Sequence, residues 1–232
     1  MIDWLSAPSA FPPPARALDD PNGLLCAGGD LTPDSIVKAY AGGIFPWYSE
    51  GQPILWWSPD PRMVLYPAEF KLSRSLAKTL RAGRFEVRFD TAFADVIRAC
   101  AEPRREDGGT WIVPAMQEAY IALHRAGIAH CAEAWRDGRL VGGLYGVALG
   151  RVFFGESMFA RETDASKVAF ASLMEKIKRE GFELVDCQQE TAHLARFGAR
   201  PIPRAAFLRH LAQLINSPVK PGQDSSRWNS KA

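Results

Sequence analysis

Three polar side chains stand where this sequence is otherwise apolar. Glu156 interrupts the run 153–159, whose alternation is typical of a β-strand, and Asp186 and Gln188 follow the short strand-like stretch 184–185. Carboxylates are seldom buried without a partner or a task, because removing a charge from water is costly. Two carboxylates and an amide at strand ends therefore predict a small polar site in an apolar wall. The alternative is that each carboxylate caps a helix or pairs with an arginine.

Composition limits the kinds of protein this chain can be. It has 232 residues, 47% of them hydrophobic, enough for one large domain or for one domain with a small annex. The net charge of +2 does not by itself indicate a nucleic-acid partner. Four scattered cysteines are typical of free thiols in a reducing compartment, and four histidines show no metal-ligand spacing. Because neither a signal peptide nor a membrane-spanning run is evident, we expect a soluble cytoplasmic protein.

The first 62 residues are rich in Pro, Gly and Trp, unlike the rest of the chain. One helix is predicted there, over residues 34–41, with Thr32 as N-cap and a stop at Gly42. The remainder of this segment is expected to be irregular loop with exposed aromatic side chains. We therefore predict a small N-terminal domain (1–62), a main domain (63–215) and a disordered tail (216–232) that is too polar to support a core.

Hydrophobic periodicity after residue 63 predicts alternating helices and strands. Predicted helices cover 73–82, 91–101, 114–126, 164–180, a segment from 191, and 203–215; predicted strands cover 85–89, 129–135, 140–149, 152–159 and 184–186. Asp137-Gly138 between two apolar runs is typical of a hairpin, and Asp164 is expected to cap the long helix. Strands in hairpins, followed by a helix and a further strand, indicate an α+β sheet with helices packed on it. The strand order stays open.

A stripe of positive charge accompanies the helix predicted at 73–82. Its residues are Lys71, Arg74, Lys78, Arg81 and Arg84, and the apolar residues expected on the opposite face are Leu72, Leu76 and Leu80. No acidic residue lies between 71 and 84. A solvated face is the ordinary explanation of a run of charges, but such faces usually mix signs. We therefore interpret the stripe as a surface for RNA or another phosphate-bearing ligand.

Two tryptophans beside glycine-containing loops are candidates for stacking on nucleotide bases. Trp47 lies in the run 43–48 and Trp111 in the run 108–112. Aromatic side chains on loops fixed by Pro and Gly, near a basic face, are a common means of holding single-stranded bases. The alternative is a hydrophobic mini-core between the two parts of the chain, which we expect to account for Trp56 and Trp57.

Seven runs of unusual composition, in order along the chain, resemble one family. They are Gly28-Gly29-Asp30-Leu31, Gly43-Ile44-Phe45-Pro46-Trp47, Leu55-Trp56-Trp57-Ser58-Pro59-Asp60-Pro61-Arg62, Thr110-Trp111-Ile112, Gly155-Glu156-Ser157-Met158-Phe159, Ala165-Ser166-Lys167 and Asp186-Cys187-Gln188. Through them, roughly residues 22–211 resemble the leucyl/phenylalanyl-tRNA–protein transferases.

The resemblance implies a fold, an activity and partners. The fold would be α+β, with an acyl-CoA N-acyltransferase-like catalytic domain and a small loop-rich N-terminal domain. The activity would be that of a cytoplasmic aminoacyltransferase that moves Leu or Phe, and Met less well, from aminoacyl-tRNA to proteins whose N-terminal residue is Arg or Lys. The product would be a degradation signal of the N-end rule. Since the reaction is aminolysis of an activated ester, no cofactor or metal is expected; nor is a membrane partner, and we expect a monomer.

Two other functions stay open at this point. A CoA-dependent N-acyltransferase of this fold needs a Gly-rich pyrophosphate loop before its long helix, but residues 160–166 contain two acids and no glycine. A non-catalytic RNA-binding module leaves the polar residues Glu156, Asp186 and Gln188 without a task.

For a transferase, we expect the polar residues to be catalytic. Gln188 would accept a hydrogen bond from the attacking α-amine, Asp186 would orient that amide, and Glu156 would hold a cationic group of the donor or the acceptor. The route of the proton and the hydrogen-bond donors to the carbonyl oxygen stay unassigned.

The resemblance also implies substrate-binding residues. The pocket for the donor side chain would include Leu144, Phe153, Met158, Phe170, Leu173 and Val185, although core packing is the ordinary role of each. Trp47 and Trp111 would stack on the 3′ adenosine of the tRNA, and the basic stripe would bind its phosphates.

Overall fold

The computed structural model of the chain describes residues 2–6, 11–102 and 110–217. Its helices are α1 (Pro33–Ala41), α2 (Arg74–Arg81), α3 (Phe93–Ala101), α4 (Pro114–Arg125), α5 (Ala165–Arg179), α6 (Ala192–Ala195) and α7 (Arg204–Leu214). Its strands are β1 (Asp3–Leu5), β2 (Leu24–Gly28), β3 (Phe45–Pro46), β4 (Leu55–Trp57), β5 (Arg62–Leu65), β6 (Glu86–Phe89), β7 (Ala129–Arg136), β8 (Arg139–Leu149), β9 (Val152–Ala160), β10 (Leu184–Gln188) and β11 (Arg200–Ile202). Most of the predicted tail, residues 218–232, lies outside the described residues.

A mixed seven-stranded sheet organises the main part of the chain, in the order β11-β5-β10-β9-β8-β7-β6. β9 and β10 run parallel, while the other neighbouring pairs are antiparallel. The long helix α5 packs against β7 and β8 in one hydrophobic cluster, and α3 and α4 pack against the sheet in a second cluster. Helices packed on a largely antiparallel sheet confirm the predicted α+β class.

The first 62 residues contain more regular structure than their sequence indicates. β1, β2, β4 and β3 form a second, four-stranded sheet, so the expectation of irregular loop is wrong. Strands of two to five residues are too short for alternation to be recognised among Pro and Gly. Trp56 and Trp57 are buried, as expected of a mini-core, but Tyr48 is buried as well. Helix α1 begins as predicted, with the Thr32 hydroxyl accepting the Ser35 N–H.

Two local predictions need correction. Asp164 does not cap α5: it adopts a left-handed conformation with φ 68°, and its side chain pairs with Lys167 at 2.7 Å instead. Leu72 precedes α2 and is 46% exposed, so the apolar face of that helix consists of buried Leu76 and half-buried Leu80.

The division at residue 62 stays a prediction. Arg62 is the first residue of β5 and already belongs to the seven-stranded sheet. One hydrophobic cluster joins Tyr40 of α1 to Tyr120 of α4, so both sheets contribute to a continuous core. No helix in the described part of the chain is long and apolar enough to cross a membrane.

Candidate functional site

The polar residues singled out in the sequence lie at irregularities in two neighbouring strands. On β9, Ser157 lies opposite Tyr145 and Gly155 lies opposite Gly146, so Glu156 is an extra residue without a partner on β8. On β10, the register against β5 shifts between Asp186 and Gln188, and Gln188 adopts φ 61°. Such bulges change the direction of a side chain and are common beside active sites. The alternation of apolar and polar residues that predicts these two strands does not predict the bulges.

A cavity of about 860 Å³ opens where β9 and β10 part. The two strands pair in parallel only as far as Phe154 and Asp186, after which β9 continues against β8. Among the residues that line the cavity are Trp47, Trp111, Tyr145, Glu156, Gln188 and His193. A cavity lined largely by apolar side chains together with a few polar groups is typical of a site for a small, partly apolar ligand.

Glu156 is the centre of a hydrogen-bond network that joins three elements. Tyr40 of α1 donates to Oε1 at 2.6 Å, Tyr120 of α4 donates to Oε2 at 3.1 Å, and the Gln188 amide donates from Nε2 to Oε1 at 2.8 Å. The hydroxyls of Tyr40 and Tyr120 are also 2.5 Å apart. Neither tyrosine was identifiable from the sequence, because each lies on the apolar face of an ordinary amphipathic helix.

Burial dominates the electrostatics of this network. Desolvation raises the pKa of Glu156 to about 7, although its hydrogen bonds from Tyr40, Tyr120 and Gln188 act in the opposite direction. Desolvation and the Glu156 charge raise the pKa of both tyrosines well above 10, so they stay protonated donors. A pKa of about 7 lies in the range that suits a general acid or base at neutral pH.

Asp186 has a different environment from the one expected. It is fully buried and accepts a bidentate pair of hydrogen bonds from Arg62, at 2.8 and 2.7 Å. Arg62 is equally buried, donates to the Gly43 carbonyl, and lies over the ring of Phe207. Asp186 also accepts the main-chain N–H of Gln188 at 2.9 Å. The carboxylate therefore orients Gln188 through the backbone bulge, whereas the amide side chain is oriented by Glu156.

The apolar wall contains five of the six residues expected in the donor side-chain pocket. Leu144, Phe153, Met158, Phe170 and Val185 line the cavity. Leu173 is not among the lining residues. Its side chain, 1% exposed, belongs to the core cluster that α5 forms with Met174 and Ile177.

The two candidate stacking residues lie at the same cavity. Trp47 is 36% exposed, and its ring meets the buried Trp57 edge-on at 5.3 Å. Trp57 in turn donates from its indole nitrogen to the Trp47 carbonyl at 2.6 Å. Trp111 is half-buried and precedes α4. Both rings thus line the cavity, while Trp57 supports Trp47 from the core.

The basic stripe is exposed and connects to the cavity wall. Its five residues, Lys71, Arg74, Lys78, Arg81 and Arg84, all point to solvent. The Lys71 N–H donates to the Phe197 carbonyl at 2.8 Å, and the Phe197 ring contacts His193, which lines the cavity. The segment before α2 is therefore bonded to the segment after α6, the helix that carries His193.

Family comparisons agree with the sequence resemblance. Residues 64–212 match the family described as leucyl/phenylalanyl-tRNA protein transferase, and residues 29–60 match the N-terminal domain of that family. The leucyl/phenylalanyl-tRNA–protein transferase of Aromatoleum aromaticum is 59% identical over 99% of this chain and 95% of its own length. That of Nitrosospira multiformis is 61% identical over 93% of both chains.

Solved structures show a more distant similarity. L-PGS from Bacillus licheniformis has a TM-score of 0.41 and 9% identity over 72% of this chain and 53% of its own. A GCN5-related N-acetyltransferase from Kribbella flavida has a TM-score of 0.36 and 11% identity over 70% of this chain and 58% of its own.

Proposed function

The chain belongs to the leucyl/phenylalanyl-tRNA–protein transferase family, and from that premise we propose how its cavity carries out the transfer. The protein is an aminoacyltransferase: it moves Leu or Phe from aminoacyl-tRNA to proteins whose N-terminal residue is Arg or Lys. Met is a weaker donor, and the transferred residue marks the acceptor for degradation under the N-end rule. One observation carries the mechanism: the Gln188 amide is fixed by Glu156 beside an apolar pocket.

The donor occupies the cavity from its tRNA end to its side chain. The 3′ adenosine stacks on Trp47 and Trp111, and the tRNA backbone follows the basic stripe. The Leu or Phe side chain enters the wall formed by residues such as Phe153 and Phe170. In this arrangement the ester lies between the two tryptophan rings and the apolar pocket. Glu156 and Gln188 are then its neighbours.

Gln188 receives the attacking amine. Because its Nε2 donates to Glu156, its Oε1 is the branch directed away from that carboxylate and is the acceptor for an amine N–H. The free α-amine has an ordinary pKa of about 7.7–8.0, so a useful neutral fraction exists without a strong base. The main task of the enzyme is therefore to position the amine and to accept one proton during attack.

Glu156 accepts that proton through the amide. As the amine nitrogen bonds to the ester carbon, its proton passes to Oε1 of Gln188 while Nε2 gives a proton to Glu156. The reverse transfer supplies a proton to the ribose oxygen when the ester bond breaks, so no proton is gained or lost. Three donors already occupy the Glu156 oxygens. This favours proton exchange over the cation-binding role expected from sequence.

Asp186 acts as a positioning residue. Its oxygens accept the bidentate pair from Arg62 and the main-chain N–H of Gln188, so its bonds hold these two residues in place. It sets the bulge that directs Gln188 into the cavity.

A transfer assay tests this function. Labelled Leu-tRNA and a peptide beginning with Arg should give a labelled peptide without ATP or added metal, and ribonuclease treatment of the donor should abolish the product. The same peptide with an N-terminal Asp is the matched control and should not be labelled. Labelling from acetyl-CoA, with no use of aminoacyl-tRNA, would refute the proposal.

A further inference from the structure

Two buried polar side-chain atoms in the described ranges have no hydrogen-bond partner: the Tyr145 hydroxyl and Nε2 of His193. Folded proteins pair nearly all such atoms, because a buried donor or acceptor without a partner forfeits its bonds to water. Both residues line the cavity in which transfer is proposed. Two such atoms at one cavity are expected if a group of the bound substrate is their hydrogen-bond partner.

Of the two, Tyr145 lies beside the reacting groups. It is on β8 opposite Ser157, directly next to the bulge that presents Glu156. Its ring meets that of Tyr120 edge-on at 5.5 Å, and Tyr120 donates to Glu156. His193, on α6, instead contacts the ring of Phe197, which packs behind the lining residue Phe170.

The hydroxyl of Tyr145 stays protonated under the conditions of transfer, so it keeps a proton to donate in a hydrogen bond. Burial and the Glu156 charge raise its pKa well above 10. Attack on an ester places negative charge on the carbonyl oxygen. Hydrogen-bond donors that are already in position stabilise this charge. The three donors of the network, Tyr40, Tyr120 and Nε2 of Gln188, already bond to Glu156, so that oxygen needs another donor.

We infer that the Tyr145 hydroxyl donates a hydrogen bond to the ester carbonyl oxygen as that oxygen becomes negative, which makes Tyr145 a catalytic residue. The inference rests on the proposed aminoacyl transfer. The Tyr145 hydroxyl is itself buried at the cavity, and an aligned hydrogen bond to a developing charge has its greatest effect away from water.

Tyr145→Phe tests the inference because it removes one oxygen that has no hydrogen-bond partner within the described ranges. In steady-state transfer from Leu-tRNA to an Arg peptide, kcat should fall about 10- to 10³-fold, while KM for the peptide stays within about twofold. The single-turnover rate constant should fall by the same factor. The thermal midpoint should be unchanged or raised, since no hydrogen bond is lost. Tyr66→Phe is the matched control: it removes a 3.1 Å bond to His210, which does not line the cavity, and should lower stability while keeping the rate.

Two substrate analogues separate a catalytic contact from a structural effect. A 3′-adenosyl phosphonate analogue of the Leu ester has a charged tetrahedral centre, whereas an ether analogue has CH₂ in place of the carbonyl. Tyr145→Phe should weaken the phosphonate by a factor similar to the loss of kcat and leave the ether unaffected. Full transfer by the variant, or equal weakening of both analogues, would overturn the inference. If the wild type itself fails to use aminoacyl-tRNA, the proposed function fails first.

Discussion

Asp186 and Glu156 lie on neighbouring strands, and both were expected to be catalytic, yet their surroundings differ in kind. Asp186 is saturated by the bidentate Arg62 pair and a main-chain N–H, none of which can exchange a proton easily. Glu156 is held by two tyrosine hydroxyls and an amide, and burial brings its pKa to about 7. The difference teaches that the hydrogen-bond partners of a carboxylate, and not its burial alone, distinguish a structural carboxylate from one that is able to take part in chemistry.

The largest expected effect is a loss of stability at the structural carboxylate, Asp186. Asp186→Ala leaves the Arg62 charge buried without its partner, which should cost about 3–5 kcal/mol in the free energy of unfolding. Urea unfolding measures the loss, and an Arg62→Met, Asp186→Ala double variant should regain part of it. A variant of wild-type stability that no longer transfers Leu would show that Asp186 acts directly on the reaction.

The catalytic side is tested first by Gln188→Ala. Removing the amide should lower kcat by about 10²-fold, the low end of the usual range for acid–base assistance, because an amide is a weak base. KM for the peptide and the thermal midpoint should change little, since the contact forms in the transition state. Single-turnover kinetics with preformed Phe-tRNA measure this, and an unaltered rate would remove Gln188 from the mechanism.

Glu156→Gln should alter the dependence of the rate on pH. Since Glu156 must be ionised to accept a proton, the wild-type rate should rise with pH through about 7. The variant should lack this rise and retain only the one that belongs to the acceptor amine. Identical pH profiles in the two proteins would contradict proton transfer to Glu156.

The free energy of unfolding gives an independent measure of the pKa of Glu156. A carboxyl whose pKa is raised in the folded protein favours the protonated form, so its contribution falls as pH rises from about 4.5 to about 7. The free energy of unfolding of the wild type relative to Glu156→Gln should fall across this window, by up to about 3 kcal/mol. A difference that is independent of pH would place the pKa of Glu156 at its ordinary value.

The tryptophans extend the comparison to substrate binding. Trp47→Ala should cost about 1–3 kcal/mol in binding of an aminoacyl adenosine, as expected for one base–aromatic stack, and little stability. Trp57→Ala is the matched control, because that ring is buried and its loss should cost about 3–5 kcal/mol of stability. Equilibrium binding and thermal unfolding together distinguish the two. Unchanged binding by Trp47→Ala would assign its ring to the mini-core.

The smallest expected effect concerns the basic stripe. If Arg74 and Lys78 each contact a phosphate, reversing both to Glu should flatten the log–log salt dependence of tRNA affinity by about 1.4–1.8. Filter binding at several salt concentrations measures the slope, and thermal unfolding checks the fold. A slope equal to that of the wild type would leave α2 a solvated helix.

Much of this protein was determined by local sequence. The α1 N-cap at Thr32, the Asp137-Gly138 hairpin and the periodicity of α5 predict their elements, because each depends on residues within a few positions. The runs around Glu156 and Asp186-Cys187-Gln188 also identify the family, since their composition is unusual enough to be recognised in one chain.

Only the tertiary structure decided which of those residues meet. Arg62, Tyr40 and Tyr120 are far from Glu156 and Asp186 along the chain, and each looks like an ordinary strand or helix residue. The small sheet escaped prediction because its strands are too short to show a period. The bulges at Glu156 and Gln188 depend on the register of β8 and β5, which is fixed by pairing between distant segments. Pairing across the sheet therefore buries Asp186 against Arg62. It also presents Glu156 to the two tyrosines and to Gln188, where we propose that it exchanges a proton.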